Sequence, residues 1–152
     1  IKEDPGELLY QEELVMAVPF SGNGEPEKEA GRENIIDSNQ LSASSLIIPV
    51  EDSHMGKLLY PLLRSYYVNL EDCYTADSYS GISLLFQNGY GSAFLPSRLL
   101  AREKTKDYKI YHADPPMRYD LRFMAGERLK KEKAAADMLC LIRKQIQSSE
   151  EN

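Results

Sequence analysis

The sequence predicts an α/β protein built around a mostly parallel sheet. Between residues 46 and 95, short apolar runs alternate with segments whose apolar residues recur at helical spacing. Pro, Gly and cap-forming residues bound these runs, which gives the order strand, helix, strand, helix, strand. Strands that alternate with helices in this way favour parallel pairing, because each helix carries the chain back to the start of the next strand.

The N-terminal third predicts one strand, one loop and one short helix. Residues 13–18 form a β-prone apolar run that Pro19 ends, since proline cannot donate a hydrogen bond to a sheet. Residues 20–34 hold three Gly, one Pro and six charges, so we expect a surface loop there. Asp37 and Ser38 can cap a helix that reaches about Ser44.

The middle of the chain predicts the parallel core. Strands are expected at residues 46–50, 73–76 and 92–95, with helices at 55–68 and 79–88. Pro61 predicts a kink in the first helix or a later start. Its apolar residues are expected to face the core: Leu58, Leu59, Leu62, Leu63, Tyr66 and Tyr67. Gly89 ends the second helix.

The last third predicts two strands and a long helix. The strands fall at residues 107–112 and 119–125, and the helix at 130–147, followed by a frayed tail. One face of this helix is apolar and is expected to pack on a core: Ala134, Met138, Leu141, Ile142 and Ile146.

Charge and cysteine content narrow the classes of function. The net charge of -6 makes the chain a poor partner for DNA phosphates, and the basic residues between 98 and 133 are interleaved with six acids, as on a solvated surface. No apolar run approaches the roughly 20 residues of a membrane helix.

Cys73 and Cys140 stand alone, so we expect small buried thiols in a reducing cytoplasm rather than a disulfide. Neither His54 nor His112 has a second metal-binding residue at position i+3 or i+4, so we expect no metal site.

The start of the chain predicts that it is an excerpt. The chain begins with Ile1 instead of Met, and neither a basic nor an apolar leader segment follows it. We therefore expect sequence upstream of Ile1 in the natural protein.

Polar residues follow three predicted strands at the point where each strand ends. Val50 precedes Asp52-Ser53-His54, Ala76 precedes Asp77-Ser78, and Pro96 precedes Ser97. Ligands of open α/β sheets bind beyond the carboxyl ends of the strands, and helix starts favour anions, so these positions suit a small carboxylate. The alternative is that the Ser and Asp residues only cap their helices. A Ser-His-Asp hydrolase is not indicated, because adjacent residues rarely reach triad geometry.

Three segments resemble the effector-binding domain of LysR-type transcriptional regulators. Residues 8–19 (LLYQEELVMAVP) resemble the strand that crosses between the lobes of that domain. Residues 75–100 (TADSYSGISLLFQNGYGSAFLPSRLL) are similar to the family's most recognisable segment, with its x-x-G-x-G turn and Leu-Pro. Residues 114–144 resemble its closing strand and C-terminal helix. Together they span nearly the whole chain in the right order.

The resemblance implies a two-lobed, periplasmic-binding-protein-like (type 2) α/β fold with one lobe complete and the other partial. Residues 18–96 would form the second lobe, whereas 1–17 and 97–152 would belong to the first lobe and the crossovers. A small-molecule effector would lie between the lobes. By position in the family, its contacts in this chain would be Val50, Ser53, His54, Thr75, Asp77, Tyr90, Gly91 and Ser92.

The resemblance also sets expectations about partners. The family's winged helix-turn-helix and linker helix find no counterpart in these residues, so DNA contact is expected only through a segment outside them. A homodimer or homotetramer is expected, with no cofactor and no catalytic residue. Peroxide-sensing members use two cysteines close in sequence, which Cys73 and Cys140 do not match.

Two rival functions stay open on the sequence. A transport-type solute-binding protein has the same fold, and the sequence upstream of Ile1 would distinguish it. An enzyme on this fold would need a catalytic group facing the cleft, for which Asp77 and His54 are the candidates.

Overall fold

The computed structural model describes residues 6–20, 34–101, 107–130 and 132–150. The chain divides into two compact units, one of Ile1–Glu12 with Tyr119–Asn152 and one of Glu13–Arg118. The loop predicted at 20–34 lies outside the described residues except at its ends, as do the last two residues of the predicted tail.

Six strands, six α-helices and one 3₁₀ turn make up the described part of the chain. The strands are β1 (Glu7–Pro19), β2 (Leu46–Pro49), β3 (Tyr74–Ala76), β4 (Ser92–Pro96), β5 (Tyr108–Tyr111) and β6 (Met117–Phe123). The helices are α1 (Ser38–Ala43), α2 (His54–Ser65), α3 (Tyr79–Gln87), α4 (Ser97–Leu100), α5 (Glu127–Lys130) and α6 (Lys133–Glu150), and the 3₁₀ turn is Leu70–Asp72.

The sheet is mixed rather than mostly parallel. Its order is β3-β2-β4-β1-β5, and β6 also pairs with β1. Strand β2 runs parallel to β3 and β4, whereas β1 runs antiparallel to β4 and β5. Parallel pairing requires a long crossover, and α2 and α3 provide the crossovers between β2, β3 and β4. The predicted parallel core is therefore confirmed for β2, β3 and β4, and β1 adds antiparallel pairs beside it.

The core of the Glu13–Arg118 unit lies on the three central strands. Every residue of β2 and β4 is buried, as is the middle of β1 from Leu14 to Ala17. Helices α2 and α3 cover this sheet with Leu59, Leu63, Ile82 and Phe86. Continuous apolar runs are expected for strands that are covered on both faces, which is why these segments were recognisable in the sequence.

Helix α2 differs from the prediction at its C-terminal end. The helix runs through Pro61 and ends at Ser65, so Tyr66 and Tyr67 are not on its core face. Tyr66 is 39% exposed and Tyr67 is 95% exposed. The buried contacts of Leu59 and Leu63 on either side of Pro61 stabilise the helix, which outweighs the lost backbone hydrogen bond of the proline.

The C-terminal helix also differs from the prediction in its packing. It forms two pieces, α5 and α6, and the predicted apolar face of α6 is not buried: Met138 is 54% and Leu141 is 66% exposed. The described residues of this unit include only parts of β1 and β6 and the short α5 besides α6, which is too little to cover an 18-residue helix.

The expectation of two buried thiols is wrong for Cys140, which is exposed, and Cys73 is half-buried.

None of the described helices combines the length and the apolar character that a transmembrane segment requires.

Candidate ligand-binding groove

A groove of about 350 Å³ lies where β2 and β3 end. The two strands are parallel and in register, with Ile48 beside Thr75 and Pro49 beside Ala76, so their carboxyl ends meet at one edge of the sheet. Helices α2 and α3 both start at this edge. The residues that line the groove come from the two strand ends and the two helix starts: Pro49, Ser53, His54, Met55, Ala76, Asp77, Ser78, Tyr79 and Ile82.

The start of α2 is fixed by Ser53. Its Oγ accepts a hydrogen bond from the backbone N–H of Gly56 at 3.0 Å and donates one to the carbonyl oxygen of Val50 at 2.6 Å. A Cβ at position 56 would lie 2.1 Å from that same carbonyl oxygen, so glycine is needed for the helix to begin this close to β2. Ser53 therefore caps its helix, which was the alternative to direct ligand binding.

The start of α3 is fixed by Ser78 in the same way. The Oγ of Ser78 accepts a hydrogen bond from the backbone N–H of Gly81 at 3.1 Å, and Ser78 is the N-cap residue. Asp77 precedes the cap, is exposed and lines the groove. The carboxylate of Asp77 is thus available to a molecule in the groove, whereas the Ser78 hydroxyl holds the helix.

The third predicted strand end is built differently. The N-cap of α4 is Pro96, and no side chain forms a capping hydrogen bond there. Ser97 is the first helical residue rather than the cap. It is not among the residues that line the groove. The prediction that three strand ends share one capping pattern is therefore correct for two of them.

Three of the eight predicted effector contacts meet in this groove, namely Ser53, His54 and Asp77. Val50 and Thr75 lie next to it in sequence but do not line it. The Val50 carbonyl is occupied by the backbone N–H and the hydroxyl of Ser53, and Thr75 is held in β3 beside Ile48.

The other three predicted contacts, Tyr90, Gly91 and Ser92, lie at the opposite edge of the sheet. Ser92 is the first residue of β4 and pairs with Leu46, the first residue of the parallel strand β2. Ser92 is fully buried, and its Oγ lies 2.8 Å from the Oγ of Ser44. The predicted contacts therefore lie in two places, because Tyr90 and Gly91 precede β4 and Ser92 begins it, whereas Ser53 and Asp77 follow their strands.

Tyr79 also lines the groove, although the sequence pattern did not predict it as a contact. It is the first residue of α3 and is 42% exposed, and it places an aromatic ring beside Asp77 and Ser78. Its position directly after the cap could have identified it, because the first helical residue faces the same edge as the cap. Met55, the second residue of α2, is another such residue.

The described residues include no group of three or more His, Cys, Asp or Glu side chains that could hold a metal ion. The two histidines lie in different surroundings. His54 lines the groove, whereas the Nδ1 of His112 lies 2.8 Å from a carboxylate oxygen of Glu13.

Comparisons with solved structures identify the fold. The chain is similar to Vibrio fischeri DarR, which was solved in complex with DNA. The match covers 90% of this chain and 44% of that one, at a TM-score of 0.62 and 14% identity. It is similar to HinK, a LysR family transcriptional regulator from Pseudomonas aeruginosa, over 95% of this chain and 50% of that one, at a TM-score of 0.59 and 15% identity.

The regulatory domain of Synechocystis CcmR, solved in complex with 2-PG, is also similar. The match covers 94% of this chain and 70% of that one, at a TM-score of 0.58 and 18% identity. This chain therefore spans about half the length of DarR and HinK. No protein-family model and no curated protein sequence matches it. The chain has the periplasmic-binding-protein-like α/β fold of the regulatory domains of LysR-family transcriptional regulators.

Proposed function

We propose that this chain is the effector-sensing part of a LysR-type transcriptional regulator, and that its groove binds part of a small metabolite. The observation that carries the proposal is the meeting of two helix N-termini, those of α2 and α3, at one groove beyond the carboxyl ends of two parallel strands. Ligands of open α/β sheets bind at this edge, and the fold is one in which the CcmR regulatory domain was solved with 2-PG.

The chemistry of the groove favours a carboxylate that also carries a hydrogen-bond donor. The N-termini of α2 and α3 carry partial positive charge and favour an anionic group. Asp77 presents a negative charge to the same groove, so a ligand that also has an ammonium or hydroxyl group would bind better than a simple anion. Tyr79 adds an apolar wall beside it.

In the proposed mechanism the ligand acts by differential binding. A metabolite that binds one arrangement of lobes or subunits more tightly shifts the equilibrium toward it, and the regulator's contact with DNA changes as a result. DNA binding would be provided by a segment outside this chain, in a cytoplasmic homodimer or homotetramer. The solved neighbours are transcriptional regulators, which supports a sensor rather than an enzyme.

A transport-type solute-binding protein is the rival with the same fold. The sequence upstream of Ile1 in the natural gene distinguishes the two, because a helix-turn-helix indicates a regulator and a secretory leader indicates a transporter. The structural neighbours favour the regulator.

The ligand itself is testable by thermal shift on the full-length protein. A panel of amino acids and hydroxy acids should include members that raise the melting temperature, since a ligand that binds only the folded state stabilises it. Asp77→Ala should abolish that shift, whereas Asp52→Ala, which removes an exposed carboxylate outside the groove, should leave it intact. An unchanged shift in Asp77→Ala would place the ligand elsewhere.

A further inference from the structure

A second groove, of about 460 Å³, lies at the opposite edge of the same sheet. Ser44 and Ser45 precede β2 there, and Asn69, Asp72 and Cys73 precede β3. Because β2 and β3 are parallel, their starts lie at the edge away from the groove already described. The volume falls in the range of small-molecule sites, roughly 300 to 1,000 Å³. The site is thus distinct from the proposed effector groove.

The lining of this second groove contains one carboxylate and no basic side chain. Serine hydroxyls, two asparagines, three aliphatic side chains and one thiol make up the rest, together with two tyrosines: Ser38, Asn39, Leu41, Ser42, Ser44, Ser45, Leu46, Tyr66, Tyr67, Val68, Asn69, Asp72 and Cys73. The segments 34–53 and 65–97 contain no Lys, Arg or His at all. Between these segments lie His54, which lines the other groove, Lys57, and Arg64, which pairs with Glu51. The local charge therefore disfavours an anion and favours a cation.

Tyr67 is held at this groove at a conformational cost. It follows the C-cap of α2 with a φ of 56°, in the left-handed region that glycine usually occupies. Its N–H donates to the carbonyl oxygen of Arg64, and the N–H of Val68 donates to that of Leu63, as in a Schellman motif. Glycine at position 67 would avoid the steric cost of the tyrosine Cβ.

The exposed ring of Tyr67 gains little from packing to offset that cost. The residue is 95% exposed, and Tyr66 beside it is 39% exposed. A bulky side chain in a strained backbone position points to a functional contact. Aromatic rings attract cations, and both tyrosines line the same groove as the carboxylate of Asp72.

Asp72 is positioned by a neutral partner. The Nδ2 of Asn69 donates a hydrogen bond to the Oδ2 of Asp72 at 2.9 Å, while the Oδ1 of Asn69 accepts from the N–H of Glu71. The amide orients the carboxylate without neutralising its charge. A cationic group in the groove would therefore gain a charged partner.

We propose that this second groove binds a small organic cation, an amine or quaternary ammonium compound, between the tyrosines at 66 and 67 and the carboxylate of Asp72. The site is independent of the proposed effector groove and of its ligand. Its occupant would give the domain a second input of opposite charge.

Cys73 provides a direct readout of occupancy. Its thiol lines the groove and is half-buried, whereas Cys140 is exposed in the other compact unit and serves as an internal reference. Choline and putrescine are the probes, with glucose and acetate as controls. In the full-length protein, choline or putrescine should slow iodoacetamide alkylation of Cys73 several-fold relative to Cys140, and glucose and acetate should not. Absence of protection by both amines, or equal protection by acetate, would overturn the proposal.

Two variants connect the protection to the named residues. Asp72→Asn and Tyr67→Gly should each weaken amine binding by about three- to ten-fold, the size expected for the loss of one ion pair or one cation–π contact. Asp52→Asn makes the same charge change outside the groove and should have no effect. Tyr67→Gly should also raise the melting temperature of the free protein. A higher melting temperature would show that the variant is folded, so that unfolding does not cause its weaker amine binding. If both variants bind the amines as tightly as the parent protein does, the proposed site is contradicted.

Discussion

The hydroxyl of Tyr60 donates a hydrogen bond to the carbonyl oxygen of Pro49 at 2.8 Å. Both residues are buried, and the bond joins the middle of α2 to the last residue of β2. Pro49 also lines the proposed effector groove. This single contact therefore fixes one wall of the groove to the helix whose N-terminus faces it.

Loss of that hydroxyl should destabilise the protein measurably. Tyr60→Phe keeps the ring but leaves the Pro49 carbonyl without this donor, which should cost about 1 to 2 kcal/mol. Urea unfolding followed by circular dichroism measures the change. Tyr79→Phe is the matched control, because its exposed ring should tolerate the same change within about 0.5 kcal/mol.

The same tyrosine predicts a loss of stability at alkaline pH. Burial, and to a smaller extent the nearby Glu51, raises the pKa of Tyr60 above its usual value. A group whose pKa is higher in the folded than in the unfolded protein contributes its full stabilisation below the unfolded pKa, which is about 10 for tyrosine. That stabilisation is lost as the pH rises through the folded pKa. The free energy of unfolding should therefore fall above about pH 10, and it should fall less in Tyr60→Phe. An identical alkaline slope in both proteins would show that Tyr60 is not responsible.

Gly91 should be intolerant of any side chain. Its φ is 155°, and a Cβ there would lie 2.1 Å from the carbonyl oxygen of Ser45, which accepts the hydrogen bond from the N–H of Ser92. Gly91→Ala should cost more than about 2 kcal/mol, because the backbone on both sides must move. Gly126→Ala has no atom within 4 Å of its Cβ and should change stability little. Comparable unfolding curves for the two variants would contradict the close approach.

The cap of α3 should matter for stability. Ser78→Ala removes the acceptor for the Gly81 N–H and should cost about 1 kcal/mol. Ser78→Asp, another good N-cap, should recover most of that loss in thermal unfolding. If Ser78→Ala is as stable as the parent protein, the hydroxyl does not cap the helix in solution.

The elements that the sequence predicted best are those whose pattern has a local cause. Ser53 and Ser78 were recognisable as caps because each follows a buried strand and precedes an amphipathic run. The buried strands β2 and β4 were recognisable because both are apolar at nearly every position. Local propensity and tertiary structure agree at these positions.

The failures have a different origin, which is tertiary packing. Tyr66 and Tyr67 continue the helical spacing of α2, but the helix ends at Ser65, so periodicity alone placed them in the core. The contacts predicted at Tyr90, Gly91 and Ser92 stay predictions: Tyr90 and Gly91 precede β4 and Ser92 begins it, so they lie apart from Ser53 and Asp77, which follow their strands.

The most direct test of the proposed effector groove is to locate the residues that a bound ligand perturbs. Backbone amide shifts of the full-length protein should be recorded during titration with the carboxylate that gives the largest thermal shift. If the ligand binds the proposed effector groove, the largest changes should occur at the starts of α2 and α3, at His54, Met55, Tyr79 and Ser80. Changes that leave both helix starts unaffected and fall elsewhere in the domain would contradict it.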